Sequence, residues 1–337
     1  MKKFVFVVHP RNYEDVVRVF PFFRYLPEKA VVRGIRLTRP FPRLWLCSSF
    51  DVLGKVRGHI LAAPLTAEQM LTRNLREVRR VILHTVLYAQ EKLRAEVIGL
   101  GALTASVTNG GKWLAKRSEV RAAVTHGDTF AVAVAMEGIG AILRKKRGAV
   151  AVTGATGIIG SALARLLAKK DRPLILLGRN RRKLKSLAAG LNGVRNLTIS
   201  TDLAVCRGAE IVVAATSHSD TILKGEHLRK GAVIYDVCQP EAVSLVLLRK
   251  RPDLVRIDGS LAAIPGVDPG FAMGPPKGTT FACLAETMLH ALEGKREDRV
   301  GPIDATHIDN LRTAGKKYGF VHAPFTCFGR PLNGKLH

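Results

Sequence analysis

From residue 149 onward the chain alternates short apolar runs with longer amphipathic stretches. The runs fall at 149–153, 174–177, 197–200, 211–215, 233–237 and 254–257. Apart from a shorter step between the third and fourth, successive runs lie roughly 20 to 25 residues apart, which leaves room for a helix between them and predicts βαβ units in a doubly wound parallel sheet. The first 95 or so residues read differently. Apolar runs at 4–8 (a first strand), 30–37 and 43–47, a turn at 51–54 and a helical period over 66–93, punctuated by Pro40, Pro42 and Pro64, predict a small α/β region. A glycine-bounded apolar run follows at 98–111, then Val124-Thr-His-Gly-Asp-Thr129 and a long apolar helix to Leu143. Arg144-Lys-Lys-Arg147 suits the negative end of that helix, and Gly148 its C′ position. The last 55 or so residues read as helices at 280–292 and about 303–318, then a Pro/Gly-rich tail.

The chain has 337 residues, enough for two domains or one with a sizeable elaboration. With 47% hydrophobic and 24% charged residues it reads as globular. The apolar N-terminal run is too short for a secretion signal, and no uncharged run reaches membrane-spanning length. A soluble, cytoplasmic protein is the expectation. Five scattered cysteines, without C-x-x-C or zinc spacing, argue against a disulfide framework and a metal site. The 53 basic and 27 acidic residues give a net charge of +26, a field that attracts polyanions. Those cations are spread along the chain, and neither an aromatic-rich stacking surface nor a nucleic-acid module accompanies them. Nucleic acid is therefore not the expected partner; an oligomer stays open.

The motif Gly154-Ala-Thr156-Gly157-Ile158-Ile159-Gly160 directly follows an apolar run and opens a helix over 161–169. Glycines there permit a tight turn and close approach of a pyrophosphate, whose charge meets the N–H groups of the helix start. An NAD enzyme places Asp or Glu at the end of the second strand, whereas this chain has Arg179 and Asn180. A guanidinium suits a 2′-phosphate, so NADPH is the expected cofactor. Ser217, after a later strand, joins the expected cofactor-binding residues.

At 100° per residue, Phe281, Leu284, Ala285, Met288, Leu289 and Leu292 form one stripe of the helix over 280–292. Cys283, Glu286, Thr287 and His290 fall on the other side, which predicts a polar face with His290 at the surface. With Thr279 or Thr280 as N-cap, Cys283 lies in the first turn, where unpaired N–H groups favour a thiolate. That placement predicts a nucleophile, with Glu286 as ion-pair partner or acid/base. A nucleophilic thiol and a hydride source together suggest reduction of an acyl thioester to an aldehyde.

Here the residues resemble a known family, the long-chain fatty acyl-[acyl-carrier-protein] reductases, aldehyde-forming enzymes of cyanobacterial type. Phe281-Ala-Cys-Leu-Ala-Glu-Thr-Met-Leu289 with Glu293-Gly294, and Gly154 to Gly160 with Arg179-Asn180, carry the likeness. Gly54-Lys-Val-Arg-Gly-His59, Gly99-Leu-Gly-Ala-Leu-Thr104, Thr125-His-Gly-Asp-Thr129 and Tyr318-Gly-Phe320 echo it in the same order. The resemblance implies an α/β acyl-binding domain over 1–147, a Rossmann NADPH domain over 148–278 and a helical segment over 279–337 presenting Cys283. It also implies an acyl carrier protein or CoA thioester as partner, and a place near the active site for 125–129. Thr129, like His126, Ser217 and His218, is a candidate there for delivering a proton. The competing reading is a small-molecule dehydrogenase of amino-acid or shikimate type, with direct hydride transfer and a structural Cys283.

Overall fold

A computed structural model describes residues 1–191, 193–194, 196–216, 221–271 and 273–332. The strands of its two main sheets are β1 (Lys2–Val8), β2 (Leu46–Val52), β3 (Val56–Ala62), β4 (Val97–Leu100), β5 (Ala123–Thr125), β6 (Val150–Thr153), β7 (Leu174–Leu177), β8 (Leu197–Ser200), β9 (Ile211–Ala214), β10 (Val233–Asp236) and β11 (Val255–Asp258). The described helices of nine residues or more are α1 (Glu28–Thr38), α2 (Leu75–Glu91), α3 (Asp128–Lys145), α4 (Ile158–Ala168), α5 (Arg181–Ala189), α6 (Ala282–Glu293) and α7 (Ala305–Tyr318). The protein is α/β. Its chain divides into two compact units, one built from 1–130, 264–302 and 313–320, the other from 131–263, 303–312 and 321–337. The expected division at 147/148 and 278/279 does not coincide with these units: Cys283 and its helix belong with the N-terminal sheet.

In the first unit the sheet runs β2-β3-β1-β4-β5. β1 is parallel to β3 and β4, β4 is parallel to β5, and β2 closes the edge antiparallel to β3. Alternate residues of a strand face opposite ways. Val5, Val7, Ile98 and Leu100 join Val78, Ile82 and Val86 of α2 in one core. α6 packs against β1, β3 and β4. Gly99 makes room for it on β4, since a Cβ there would lie 2.0 Å from Thr287 Oγ1 and 2.8 Å from the Phe6 ring. The helical period over 66–93 resolves into two helices because Asn74 interrupts it, accepting from Arg76 N at 2.8 Å as the N-cap of α2.

In the second unit the sheet is β11-β10-β9-β6-β7-β8 and every pairing is parallel. Renumbered from β6, that is the doubly wound order 3-2-1-4-5-6, with its crevice where the order reverses between β6 and β9. All six apolar runs read from the sequence are strands of this sheet. β6, β7, β9 and β10 are buried along their whole lengths, which is why they read as continuous apolar runs. α3 ends at Lys145, and Gly148 is not its left-handed C′ residue; the Gly148 amide donates instead to Glu210 Oε2 at 2.6 Å.

Candidate functional site

The cysteine site is built in the first unit. Thr279–Phe281 is a short strand, so neither threonine caps α6; its N-cap is Phe281, which offers no side-chain bond. Cys283 is thus the second residue of the helix and half-buried. The loop from β5 to α3 lies directly against it. Gly127 has φ +74°, and a Cβ there would lie 2.4 Å from Cys283 Cβ and 2.7 Å from its Cα. Only glycine meets both demands.

Main-chain and side-chain bonds fix that loop. His126 N donates to Arg299 O at 3.1 Å and Val124 N to Asp298 Oδ1 at 2.8 Å, so the 298–299 segment clips the end of β5. Gly127 N donates to Thr125 Oγ1 at 3.2 Å, and Asp128 N to His126 Nδ1 at 2.9 Å.

Glu286 holds the loop to α6. Its Oε1 accepts from Thr125 Oγ1 at 2.5 Å and its Oε2 from Phe130 N, in the first turn of α3, at 2.6 Å. His290 Nε2 stands 3.7 Å from Oε1. Burial works against this charge, but the imidazole of His290, that of His126 and the Thr125 hydroxyl outweigh it, and the carboxyl is held down at about 2. Both oxygens are occupied and the group stays ionised. Glu286 is therefore a staple between two helix starts, not a proton donor.

The polar face expected of α6 does not exist. Glu286 and Thr287 are 0% exposed and His290 3%, buried like the apolar stripe. The reason is sheet packing on one side and the 125–130 loop on another, which the helical period cannot register. The thiolate expectation also fails for the resting protein. Burial first, then the Asp128 carboxylate, pushes the Cys283 thiol up to about 12; the Leu284 amide offsets only part of this, and Glu286 adds to it. Partial charge at a helix start loses here to desolvation and two neighbouring anions.

Asp128 is the residue that sequence reasoning passed over. Burial raises its carboxyl to about 6, with Glu286 adding to the shift and His126 opposing it. Its side chain is still 17% exposed, so it reaches solvent. A carboxylate in the first turn of a helix reads as a dipole partner, which hid it; its place beside Gly127 in Thr125-His-Gly-Asp-Thr129 was the available signal. Thr129 is buried, and the hydroxyl that reaches Glu286 belongs to Thr125.

The coupling of Asp128 to Cys283 gives a direct test. Asp128→Asn removes the carboxylate that opposes thiolate formation, so iodoacetamide should alkylate Cys283 faster at pH 8, by about tenfold for each unit its pKa falls. An unchanged alkylation rate would break the link between the two side chains.

The second unit carries the glycine turn. Gly154 has φ +68°, and a Cβ there would lie 2.3 Å from Ala215 O, across the point where the strand order reverses. A Cβ on Gly160 would lie 2.1 Å from Gly154 O. α4 begins at Ile158, a turn's length before the expected start, with Gly157 as an N-cap that offers no side chain to the first amides. Thr156 lies beside Gly178, and Ile158 and Ile159 are half-buried. Arg179 is exposed just past β7. Asn180 caps α5, its side chain accepting from Lys183 N at 3.0 Å. Ser217 and His218 lie outside the described residues.

No protein-family model and no curated protein matches the chain. Among solved structures, L-tryptophan dehydrogenase from Nostoc punctiforme is similar at 14% identity and TM-score 0.41, over 94% of this chain and 80% of its own. The nucleotide-binding domain of glutamyl-tRNA reductase from Thermoplasma volcanium is similar at 13% identity and TM-score 0.29, over 38% of this chain and 84% of that one. CurK enoyl reductase is similar at 14% identity and TM-score 0.31, over 58% of this chain and 51% of its own. Likenesses this low carry no weight for function. The assignment of the fold rests on strand order and direction.

Proposed function

We propose that the protein reduces an acyl thioester to an aldehyde with NADPH, through an acyl-enzyme on Cys283. The observation that carries this reading is the pairing of the half-buried Cys283, in the first turn of α6, with a carboxyl that titrates near neutrality, Asp128, at about 6. A cysteine kept only for packing has no use for such a partner.

Support for the cofactor comes from the glycine turn. Uncapped amides at the start of α4, a backbone cleared of side chains at Gly154 and Gly160, and the cation Arg179 fit a dinucleotide carrying a 2′-phosphate. NADPH, when bound, supplies the hydride. Arg179→Asp should raise KM for NADPH by about 10- to 100-fold, the loss of one charge-assisted contact, and leave KM for NADH nearly unchanged. Equal losses with both cofactors would remove Arg179 from this role.

The proton steps fall to Asp128. Its carboxylate takes the proton of Cys283 as Sγ attacks the thioester carbonyl. Moving that proton also removes the charge that opposed the thiolate, so the two events favour each other. The new C–S bond forms, the bond to the carrier sulfur breaks, and Asp128 returns its proton to the departing thiolate. Amides beside Cys283 would bond the developing oxyanion. With the hydride that the bound cofactor would supply, the acyl carbon would leave Sγ as the aldehyde, and the thiolate left on Cys283 would take up one solvent proton, so that one hydride and one proton are consumed per thioester. Either an acyl carrier protein or CoA satisfies this chemistry, and a net charge of +26 favours both.

The test is NADPH oxidation with a panel of acyl-CoA and acyl-carrier thioesters. Turnover with release of aldehyde and free thiol is expected. No turnover with any thioester refutes the reading.

A further inference from the structure

Among the described residues, half of the exposed large apolar side chains fall within one stretch of the first unit. Phe22, Tyr25, Leu26, Leu37, Phe41 and Leu44 are 49–83% exposed. Over 18–44 there are seven Arg or Lys and a single acidic residue, Glu28. These positions come from three segments gathered on one buried side chain. The Phe20 ring meets the Trp45 ring edge-on at 5.2 Å, and Trp45 Nε1 donates to Thr38 Oγ1, at the end of α1, at 2.9 Å. Tyr13 Oη donates to Phe23 O at 2.8 Å and to Leu26 O at 3.2 Å, fixing the turn between. Trp45, Val31 and Ile35 are buried, whereas Tyr25, Leu37 and Phe41 are exposed, as are the cations Arg24, Lys29, Arg33 and Arg43 of the same segments.

We propose that this face docks the protein on an anionic lipid surface. The chemistry is that of an interfacial anchor: aromatic and leucine side chains enter the headgroup boundary while Arg and Lys meet lipid phosphates. The apolar groups project by up to 83% of their surface, as side chains entering a soft phase do. A monomer facing only water has no reason to hold so many together. Arg18 pairs with Asp15, and Arg36 and Arg39 with Glu77; the other four cations, Arg24, Lys29, Arg33 and Arg43, against the single Glu28, select an anionic partner. No described helix is long and apolar enough to cross a membrane, so the attachment is peripheral. This inference stands apart from the cysteine chemistry.

The test is cosedimentation of the full-length protein with phosphatidylcholine vesicles, with and without phosphatidylglycerol. Binding is expected only where the anionic lipid is present. Phe22→Ser/Tyr25→Ser/Phe41→Ser should lower the partition coefficient at least about tenfold. Tyr25→Ser alone, at the most exposed position, should lower it measurably and guards against a misfolded triple variant. Arg24→Glu/Lys29→Glu should weaken binding far more than Lys169→Glu/Lys170→Glu, the same charge change in the other unit. Three results overturn the proposal: no binding to anionic vesicles, equal losses from the two charge variants, or capture of an acidic acyl carrier protein through the same side chains while vesicles are ignored.

Discussion

Cys283→Ala should abolish thioester-dependent NADPH oxidation, lowering kcat/KM by at least about a thousandfold, the scale expected when an activated nucleophile is removed. The variant should fold normally, because Gly127 packs on the Cβ, Cα and carbonyl oxygen of Cys283, all of which alanine keeps. Wild-type protein mixed with an acyl-CoA in the absence of NADPH should gain the mass of one acyl group, and Cys283→Ala should gain none. Cys283→Ser should be nearly as inactive, since an alkoxide is harder to form than a thiolate beside the same carboxylate. Asp128→Asn should also lose turnover, by about 10²- to 10⁴-fold, even as its thiol becomes easier to alkylate. Those opposite responses separate a proton carrier from a mere neighbour. Hydride transfer to a ketone or imine that survives Cys283→Ala would point to a small-molecule dehydrogenase instead.

Glu286→Ala should cost about 3–5 kcal/mol of stability, the range for removing one partner from a buried charged network. It leaves the Thr125 hydroxyl, the Phe130 amide and His290 without the carboxylate they share. Glu286→Gln keeps the shape and one acceptor, and should lose roughly half as much. Thermal unfolding of the three proteins checks this, and a shift near zero for Glu286→Ala would contradict the staple. The pH dependence has a definite sign. Glu286 is held at about 2 against an ordinary 4.5, so its contribution is complete above 4.5 and is lost as the pH falls toward 2. Asp128, raised from 3.8 to about 6, acts oppositely: the stability it permits is full below 3.8 and is lost as the pH rises through about 6. Asp128→Asn should therefore flatten the stability profile between pH 4 and 6 without touching its acid limb.

Much of the second unit was legible in the sequence because a parallel sheet covered on both faces writes its strands as unbroken apolar runs, and because the turn at Gly154 admits few other residues. The first unit was harder to read. Its sheet mixes one antiparallel edge strand with parallel neighbours, and Asn74 splits what looks like one helix into two. At the cysteine site, the periodicity of α6 gave Cys283 and Glu286 correctly as residues apart from the apolar stripe. It could not show that a loop some 156 residues earlier, from Thr125 to Phe130, would cover that face and bury Glu286 and His290. The resting thiol was misjudged for the same reason, since the carboxylate of Asp128 reaches it only through tertiary contact.

The bond from the Phe130 amide to Glu286 also sets an order on biosynthesis. When the ribosome has released the first 130 residues, the sheet β2-β3-β1-β4-β5 is present but α6, which lies on its Phe6 face, has not yet been made. That face lacks α6 while the whole of the second unit's sheet is translated. The Glu286 staple can therefore close on the 125–130 loop only after residues 131–285 have been made.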